Sequence, residues 1–240
     1  MNLVIDIGNT RLKAALFSNN KIRSRTQIRN DVNLEKTLKP FIYKADQIII
    51  SSVSDLSREF ERTLVKFHKG VHILNQQTLL PFKNKYATPQ TLGKDRIANA
   101  AAAATCFPGE NVLVIDAGTC LKFDFVDRKQ NYHGGAISPG LDMRFKALHQ
   151  MTDKLPLLKP LKQASFIGNS TQTSIRSGVQ TGMIEEIKGV MALYRKKHKN
   201  VITIITGGDF RFFANQLKTH IFARPDFTLE GLNEILKLNI

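Results

Sequence analysis

Apolar positions along this chain recur with two periods, and the two alternate from one segment to the next. Leu3–Ile7 and Leu12–Phe17 are apolar runs separated by Gly8-Asn9-Thr10, a turn-forming trio, and read as a β-hairpin. Ile22–Ile28 adds a third strand and Leu34–Tyr43 a helix. Gln47–Val53 reads as a strand buried on both faces through Ile48-Ile49-Ile50. Leu56, Phe60, Leu64 and Phe67 fall at helical spacing within Asp55–His68, and Val71–Leu74 is a short strand. Pro81–Gly93 is expected as loop, followed by an alanine-rich helix over Asp95–Phe107 that Pro108-Gly109 closes. Asn111–Ile115 and Leu121–Val126 are strands around the turn Asp116-Ala117-Gly118-Thr119. Helices over Leu141–Met151 and Ser174–His198, a strand over Val201–Ile205, and helices over Asp209–Lys218 and Leu229–Leu238 complete an α/β pattern.

The opening pattern occurs twice. Leu3-Val4-Ile5-Asp6-Ile7-Gly8-Asn9-Thr10 and Leu113-Val114-Ile115-Asp116-Ala117-Gly118-Thr119 share a strand, an Asp-x-Gly turn and a hydroxyl residue, offset by 110 residues. Two related halves, residues 1–110 and 111–240, are the economical expectation, each the size of a small domain.

Composition bounds the class. Apolar residues make up 42% and charged residues 23% of 240, the mix of an ordinary globular protein. No uncharged run approaches the roughly 20 apolar residues of a membrane span. The start lacks the basic region of a signal peptide. Cys106 and Cys120 make no disulfide framework and lack CxxC spacing, so both are expected as small buried side chains in a cytoplasmic protein. The net charge of +15 divides almost evenly between the halves, and its densest clusters, Lys21–Arg25 and Arg195–Lys199, are short. That spread favours a solvated basic surface that attracts small anions over a nucleic-acid arm. His68 and His72 flank Gly70 and read as surface residues rather than metal ligands.

The Asp-x-Gly turns carry the candidate chemistry. A glycine in a tight turn lets backbone N–H groups approach an anion, and an acid at a strand end can hold a hydrated Mg²⁺. One copy alone is ordinary hairpin chemistry; two copies suggest a clamp on one polyphosphate. Lys13 could neutralise phosphate charge or be a solvated strand residue. Thr206-Gly207-Gly208-Asp209 ends a strand and could lie against a flat ligand or be a plain connection. There is no GxxxxGK[ST], GxGxxG or GxSxG motif.

Taken in order, Asp6–Thr10, Gly93-Lys94-Asp95-Arg96, Asp116–Thr119, Gly134–Gly140, Gly168–Thr171, Thr206–Gly208 and Leu229–Leu232 resemble the type III pantothenate kinase family, within the superfamily of acetate and sugar kinases, Hsp70 and actin. The resemblance implies two duplicated ribonuclease-H-like domains around a nucleotide cleft, and ATP-dependent phosphorylation of pantothenate as the first step of coenzyme A synthesis. It implies that Asp6, Ile7, Gly8, Asn9, Thr10, Arg11, Leu12 and Lys13 form a phosphate loop, and that Thr119 and Gly207-Gly208 also meet ATP. Asp95 would be the general base, Arg96 would bind the pantothenate carboxylate, and Tyr86, Gly93, Lys94 and Thr171 would line the substrate pocket. Asp116 would hold a monovalent cation, K⁺ or NH₄⁺, beside MgATP. The enzyme would be a homodimer, to which the close-packing face of Ala98 and Ala100–Ala104 lends faint support. Read singly, Asp95 and Thr171 are helix caps, Arg96 a solvated first-turn residue, Tyr86 a packing residue and Gly134–Gly140 loop punctuation. Cys120-Leu121-Lys122 departs from the family pattern; Lys122 either alters phosphate or cation binding or faces solvent. The alternatives are a regulatory, nucleic-acid-binding factor on the same scaffold and a kinase for another small hydroxyl compound.

Overall fold

The computed structural model describes residues 1–8, 11–29, 34–52, 58–217 and 221–240. Two compact units emerge. Unit 1 comprises Met1–Pro108, Gln130–Tyr132 and Asp226–Ile240; unit 2 comprises Gly109–Lys129 and His133–Pro225. The first break lies near residue 110, but the C-terminal helix packs in unit 1 rather than in the half that encodes it.

Unit 1 is built on a five-stranded sheet of order β3-β2-β1-β4-β5, with β1 Asn2–Ile7, β2 Arg11–Ser18, β3 Lys21–Arg29, β4 Gln47–Ser52 and β5 Val71–Ile73. β1 runs antiparallel to β2 and parallel to β4, so β1 is central and its residues are buried on both faces. Helices α1 (Leu34–Ile42) and α2 (Arg58–Phe67) bring Leu38, Phe60 and Leu64 against Leu3, Ile5, Leu12 and Leu16 on one face. α3 (Lys94–Cys106) and α8 (Phe227–Leu238) pack together, and α8 lies on the strands β1, β2 and β4. The alanine row Ala98 and Ala100–Ala104 of α3 is buried in that packing, and Gly231 of α8 sits where a Cβ would overlap Ala98 O. Thr228 Oγ1 donates to Asn99 Oδ1 at 2.9 Å across the same pair. The alanine face is thus covered by the chain's own C-terminal helix and carries no argument for a dimer.

Unit 2 repeats the plan. Its strands β7 (Asn111–Ala117), β8 (Cys120–Val126), β9 (Asn131–Pro139), β10 (Val201–Thr206) and β11 (Phe222–Ala223) lie in the order β11-β10-β7-β8-β9. Read from the other end, this is the order of unit 1, with hairpin β7–β8 standing for β1–β2 and β10 for β4. β7 is antiparallel to β8 and parallel to β10, as β1 is to β2 and β4. Helices α4 (Leu141–Gln150), α6 (Gly182–Lys197) and α7 (Phe210–Leu217) supply Phe145, Met183, Ile187 and Phe213 to its core. The sequence duplication is therefore a duplication of topology.

Several expectations are corrected in detail. The 81–93 segment holds a short strand, β6 (Lys83–Asn84), which pairs in parallel with Asn131-Tyr132, and one turn of 3₁₀-helix at Pro89–Thr91. Gly134–Gly140 is not loop: Gly134–Pro139 continues β9 and Gly140 caps α4. The long helix expected over Ser174–His198 is α5 (Thr171–Arg176), a π-helical turn at Ser177–Thr181, and α6. Cys106 is exposed and Cys120 half-buried, so neither is the buried thiol anticipated. His68 and His72 are partly buried. Gly70 N–H donates to His68 Nδ1, which leaves Nε2 to donate to Ala45 O at 3.0 Å. His72 Nε2 meets Thr78 Oγ1 at 2.9 Å, and burial pushes its imidazole below the ordinary range.

The basic clusters have structural explanations. Lys21–Arg25 lies on β3, an edge strand, where charge discourages edge-to-edge pairing. Arg195, Lys196 and Lys197 occupy the last turn of α6, where cations oppose the helix dipole.

Candidate active site

Unit 1 assembles one group of candidates. Asp6 is the next-to-last residue of β1, and Ser51 sits beside it at the same register of β4. Ser51 Oγ donates to Asp6 Oδ1 at 3.2 Å, fixing the carboxylate. Gly8 N–H donates to Arg11 O at 3.1 Å and closes the turn. Asn9 and Thr10 lie outside the described residues. Ile7 and Leu12 point into the core, so only their backbone could meet a ligand, while Arg11 is exposed and Lys13 half-buried. Lys13 stands directly opposite Asp6 across the hairpin.

The second group in unit 1 surrounds the start of α3. Gly93 is the N-cap, so Asp95 is not the capping residue. Its Oδ1 instead accepts the Arg96 backbone N–H at 2.9 Å, holding a half-buried carboxylate at the helix N-terminus. Arg96 is 4% exposed, which removes the reading of a solvated first-turn residue. Its guanidinium carbon lies 5.4 Å from the Tyr86 ring centroid and 5.9 Å from that of Tyr132. Cation–π attraction and burial hold the guanidinium in one place. Lys94 is half-buried beside them. Sequence reasoning does not single out Tyr132 or Ser51. The available signals are an aromatic residue two positions before a Gly-Gly pair in a strand, and a polar residue next to last in an apolar strand, as Asp6 is.

Unit 2 holds the third group. The Asp116–Thr119 turn is gripped by two other chain segments. Asp209 N–H donates to Ala117 O at 2.9 Å, and Gly207 lies with φ +96° where a Cβ would overlap Ala117 O and fall 2.5 Å from Asp116 Oδ1. Gly140 abuts the carbonyls of Gly118 and Thr119. Three sequence motifs thus meet: the turn, the end of the Gly-Gly-x-Ile-x-Pro-Gly strand, and Thr206-Gly207-Gly208. Thr119 and Gly208 are exposed at this point, available to a ligand. Thr171 is the exposed first residue of α5, whose cap is Ser170; it belongs to unit 2, whereas Tyr86, Asp95 and Arg96 belong to unit 1.

Lys122 does not face solvent. It is the direct cross-strand partner of Asp116, and its Nζ lies 2.7 Å from Asp116 Oδ2, with the two side chains 14% and 11% exposed. The carboxylate expected to bind K⁺ or NH₄⁺ is already neutralised by a covalently attached ammonium group, and a second monocation beside it would meet like charge. The residues present do not fit that ion. Mg²⁺ is a different case. Among the described residues no group of three or more His, Cys, Asp or Glu could hold a metal. Mg²⁺ at kinase sites needs only one or two carboxylates, with phosphates and water completing its shell, and the fixed carboxylate of Asp6 fits that donor set.

The sequence model of the type III pantothenate kinase family matches residues 2–193. Proteins called type III pantothenate kinase are similar over the full chain: one from Christiangramia forsetii at 47% identity, covering 100% of this chain and 99% of the relative, and one from Bacteroides fragilis at 44%, covering 100% and 98%. Among solved structures, a protein of Campylobacter jejuni described as a Baf family transcriptional activator superposes with a TM-score of 0.66 at 24% identity, over 99% of this chain and 98% of that one. The activator of 2-hydroxyisocaproyl-CoA dehydratase from Clostridium difficile, solved with bound ADPNP, superposes with a TM-score of 0.54 at 13% identity, covering 99% and 96%. These neighbours share the fold, two sheets of mixed α/β construction.

Proposed function

Because this chain belongs to the type III pantothenate kinase family, we propose that it transfers the γ-phosphoryl group of ATP to the primary hydroxyl of pantothenate, giving 4′-phosphopantothenate for coenzyme A synthesis. The observation that carries the reading within the molecule is the pairing of Asp95 with a buried Arg96 at one helix N-terminus. Pantothenate has a carboxylate at one end and a hydroxyl at the other. A guanidinium offers a planar fork to the first, and a carboxylate can take the proton from the second.

Phosphoryl transfer asks for an aligned nucleophile and stabilised charge, with little covalent work from the protein. Asp95 accepts the hydroxyl proton as the oxygen closes on phosphorus. Arg96, steadied by Tyr86 and Tyr132, fixes the substrate by its carboxylate. Gly93 and Lys94 border this group, and the resemblance assigns Thr171 to pantothenate as well. The resemblance assigns ATP to residues 6–13 of unit 1 and to Thr119 and Gly207-Gly208 of unit 2. Asp6 would hold Mg²⁺, which would supply charge neutralisation to the phosphates. A homodimer is carried over from the resemblance. Cytoplasmic location is supported by two cysteines that form no disulfide and by the substrates; among the described residues no helix is long and apolar enough to cross a membrane.

An ADP-release assay with and without pantothenate tests the reading. Pantothenate-dependent ADP is expected. Its absence overturns the proposal, and salt-sensitive DNA binding in its place would favour the regulatory alternative. ADP release driven instead by another hydroxy compound would make this a kinase of different specificity. Arg96→Lys should raise KM for pantothenate by about 10–100-fold, the worth of one charged hydrogen bond to a carboxylate, with a smaller change in kcat. An unchanged KM would remove Arg96 from the substrate site.

A further inference from the structure

We infer that the Lys122 ammonium stands where the family resemblance places a monovalent cation, so that phosphoryl transfer by this chain needs neither K⁺ nor NH₄⁺. The inference rests on the kinase reading above and goes beyond it, because the resemblance implies a dependence that this chain's own residues contradict.

Two observations on one sheet face support it, and a third is outweighed. Lys122 and Asp116 are direct opposites in the β7–β8 register, so a short cross-strand reach brings Nζ to 2.7 Å from Oδ2. Both side chains are nearly buried, where a pair of charges is screened weakly and a third, positive one is disfavoured. Thr206 lies at the same register on the far side of Asp116, in β10. Its Oγ1 is buried with no hydrogen-bond partner among the described residues, and it is the feature there most like a cation ligand. One neutral oxygen does not offset the ammonium already present.

The arrangement follows from the hairpin. Asp6 and Lys13 occupy the same register in unit 1 as Asp116 and Lys122 in unit 2, although the second turn is one residue shorter. The lysine is thus a repeated part of the duplicated motif. In unit 2 it supplies a fixed positive charge next to Gly118 and Thr119, the turn assigned to ATP phosphate. Lys122 acts through Asp116 and the turn, as a positioning residue.

The test compares the full chain and Lys122→Ala in buffers whose cation is choline or Na⁺, with and without added K⁺ or NH₄⁺. ADP release by the unaltered chain should change less than about twofold on adding K⁺, whereas a coupled effector typically changes a site by about 5–150-fold. Lys122→Ala should lose activity in choline and regain it with K⁺ or NH₄⁺, which a merely structural lysine would not produce. Thallium-205 NMR, with Tl⁺ as a K⁺ surrogate, supplies a readout independent of turnover. Bound, K⁺-displaceable Tl⁺ should appear in Lys122→Ala and not in the unaltered chain. K⁺ activation or Tl⁺ binding in the unaltered chain overturns the inference, as does full K⁺-independent activity of Lys122→Ala. If no salt supports pantothenate-dependent ADP release, the kinase reading fails while the thallium measurement still decides the occupancy of Asp116. Lys122→Met, which keeps the length of the stem, replaces Lys122→Ala if the latter does not fold.

Discussion

Asp95→Asn should lower kcat by about 10²–10⁴-fold, the usual share of a general base, with little change in KM or in melting temperature. Asn has the shape of Asp and keeps an oxygen that can accept the Arg96 backbone N–H, so the start of α3 should hold. What disappears is the capacity to accept the substrate proton. Stopped-flow or coupled turnover at saturating pantothenate, set beside a thermal melt, separates the two effects. Full turnover would move the base elsewhere, and a loss matched by unfolding would make Asp95 a structural residue. The local structure favours chemistry. Gly93 already occupies the capping position, so α3 does not depend on Asp95 for its cap.

Gly207→Ala should be strongly damaging to unit 2. The backbone there has φ +96°, a conformation that costs an L-residue about 1–2 kcal/mol, and the added carbon would overlap Ala117 O. Displacing Ala117 or the strand end adds an overpacking cost of about 1–3 kcal/mol. Together these should lower stability by about 2–5 kcal/mol and disturb the Asp209–Ala117 hydrogen bond that shapes the turn. Urea unfolding reads the first effect, and calorimetric titration with a non-hydrolysable ATP analogue reads the second as weakened binding. Gly189→Ala is the control. Gly189 lies within α6, where an added methyl would project into open space, and the variant should gain up to about 1 kcal/mol from helix propensity. Equal behaviour of the two variants would show that the close approach at Gly207 is not needed.

Much of the fold is legible in the sequence because it rests on local pattern. The strand at Leu3–Ile7 and the turn after it are set by apolar alternation and by Gly8, and the same signals recur at Leu113–Thr119. The repeat announces two related units, and the topology repeats it. Gly134–Gly140 looks like loop because it holds three glycines and a proline, whereas Gly135 is needed for strand β9 to run against the backbone of Phe123. The π turn at Ser177–Thr181 leaves no mark in composition, since the residues around it keep a helical pattern. Arg96 cannot be told from a surface arginine until Tyr86 and Tyr132, 46 residues apart in sequence, are seen beside it. Lys122 is visible as a departure, but its partner depends on register, which a one-residue slip would reverse.

The last helix of the chain has a consequence for the order in which the protein forms. On the ribosome, α3 is complete long before α8 emerges, yet α8 is what covers its alanine row. Nearly 120 residues separate Pro108 from Asp226, so at roughly 5–20 residues per second the nascent unit 1 waits about 6–24 s with that face uncovered. Unit 2, whose residues fall between, can close first. The part of the chain that is made earliest is finished last, and loss of Asp226–Ile240 would leave unit 2 whole and unit 1 open.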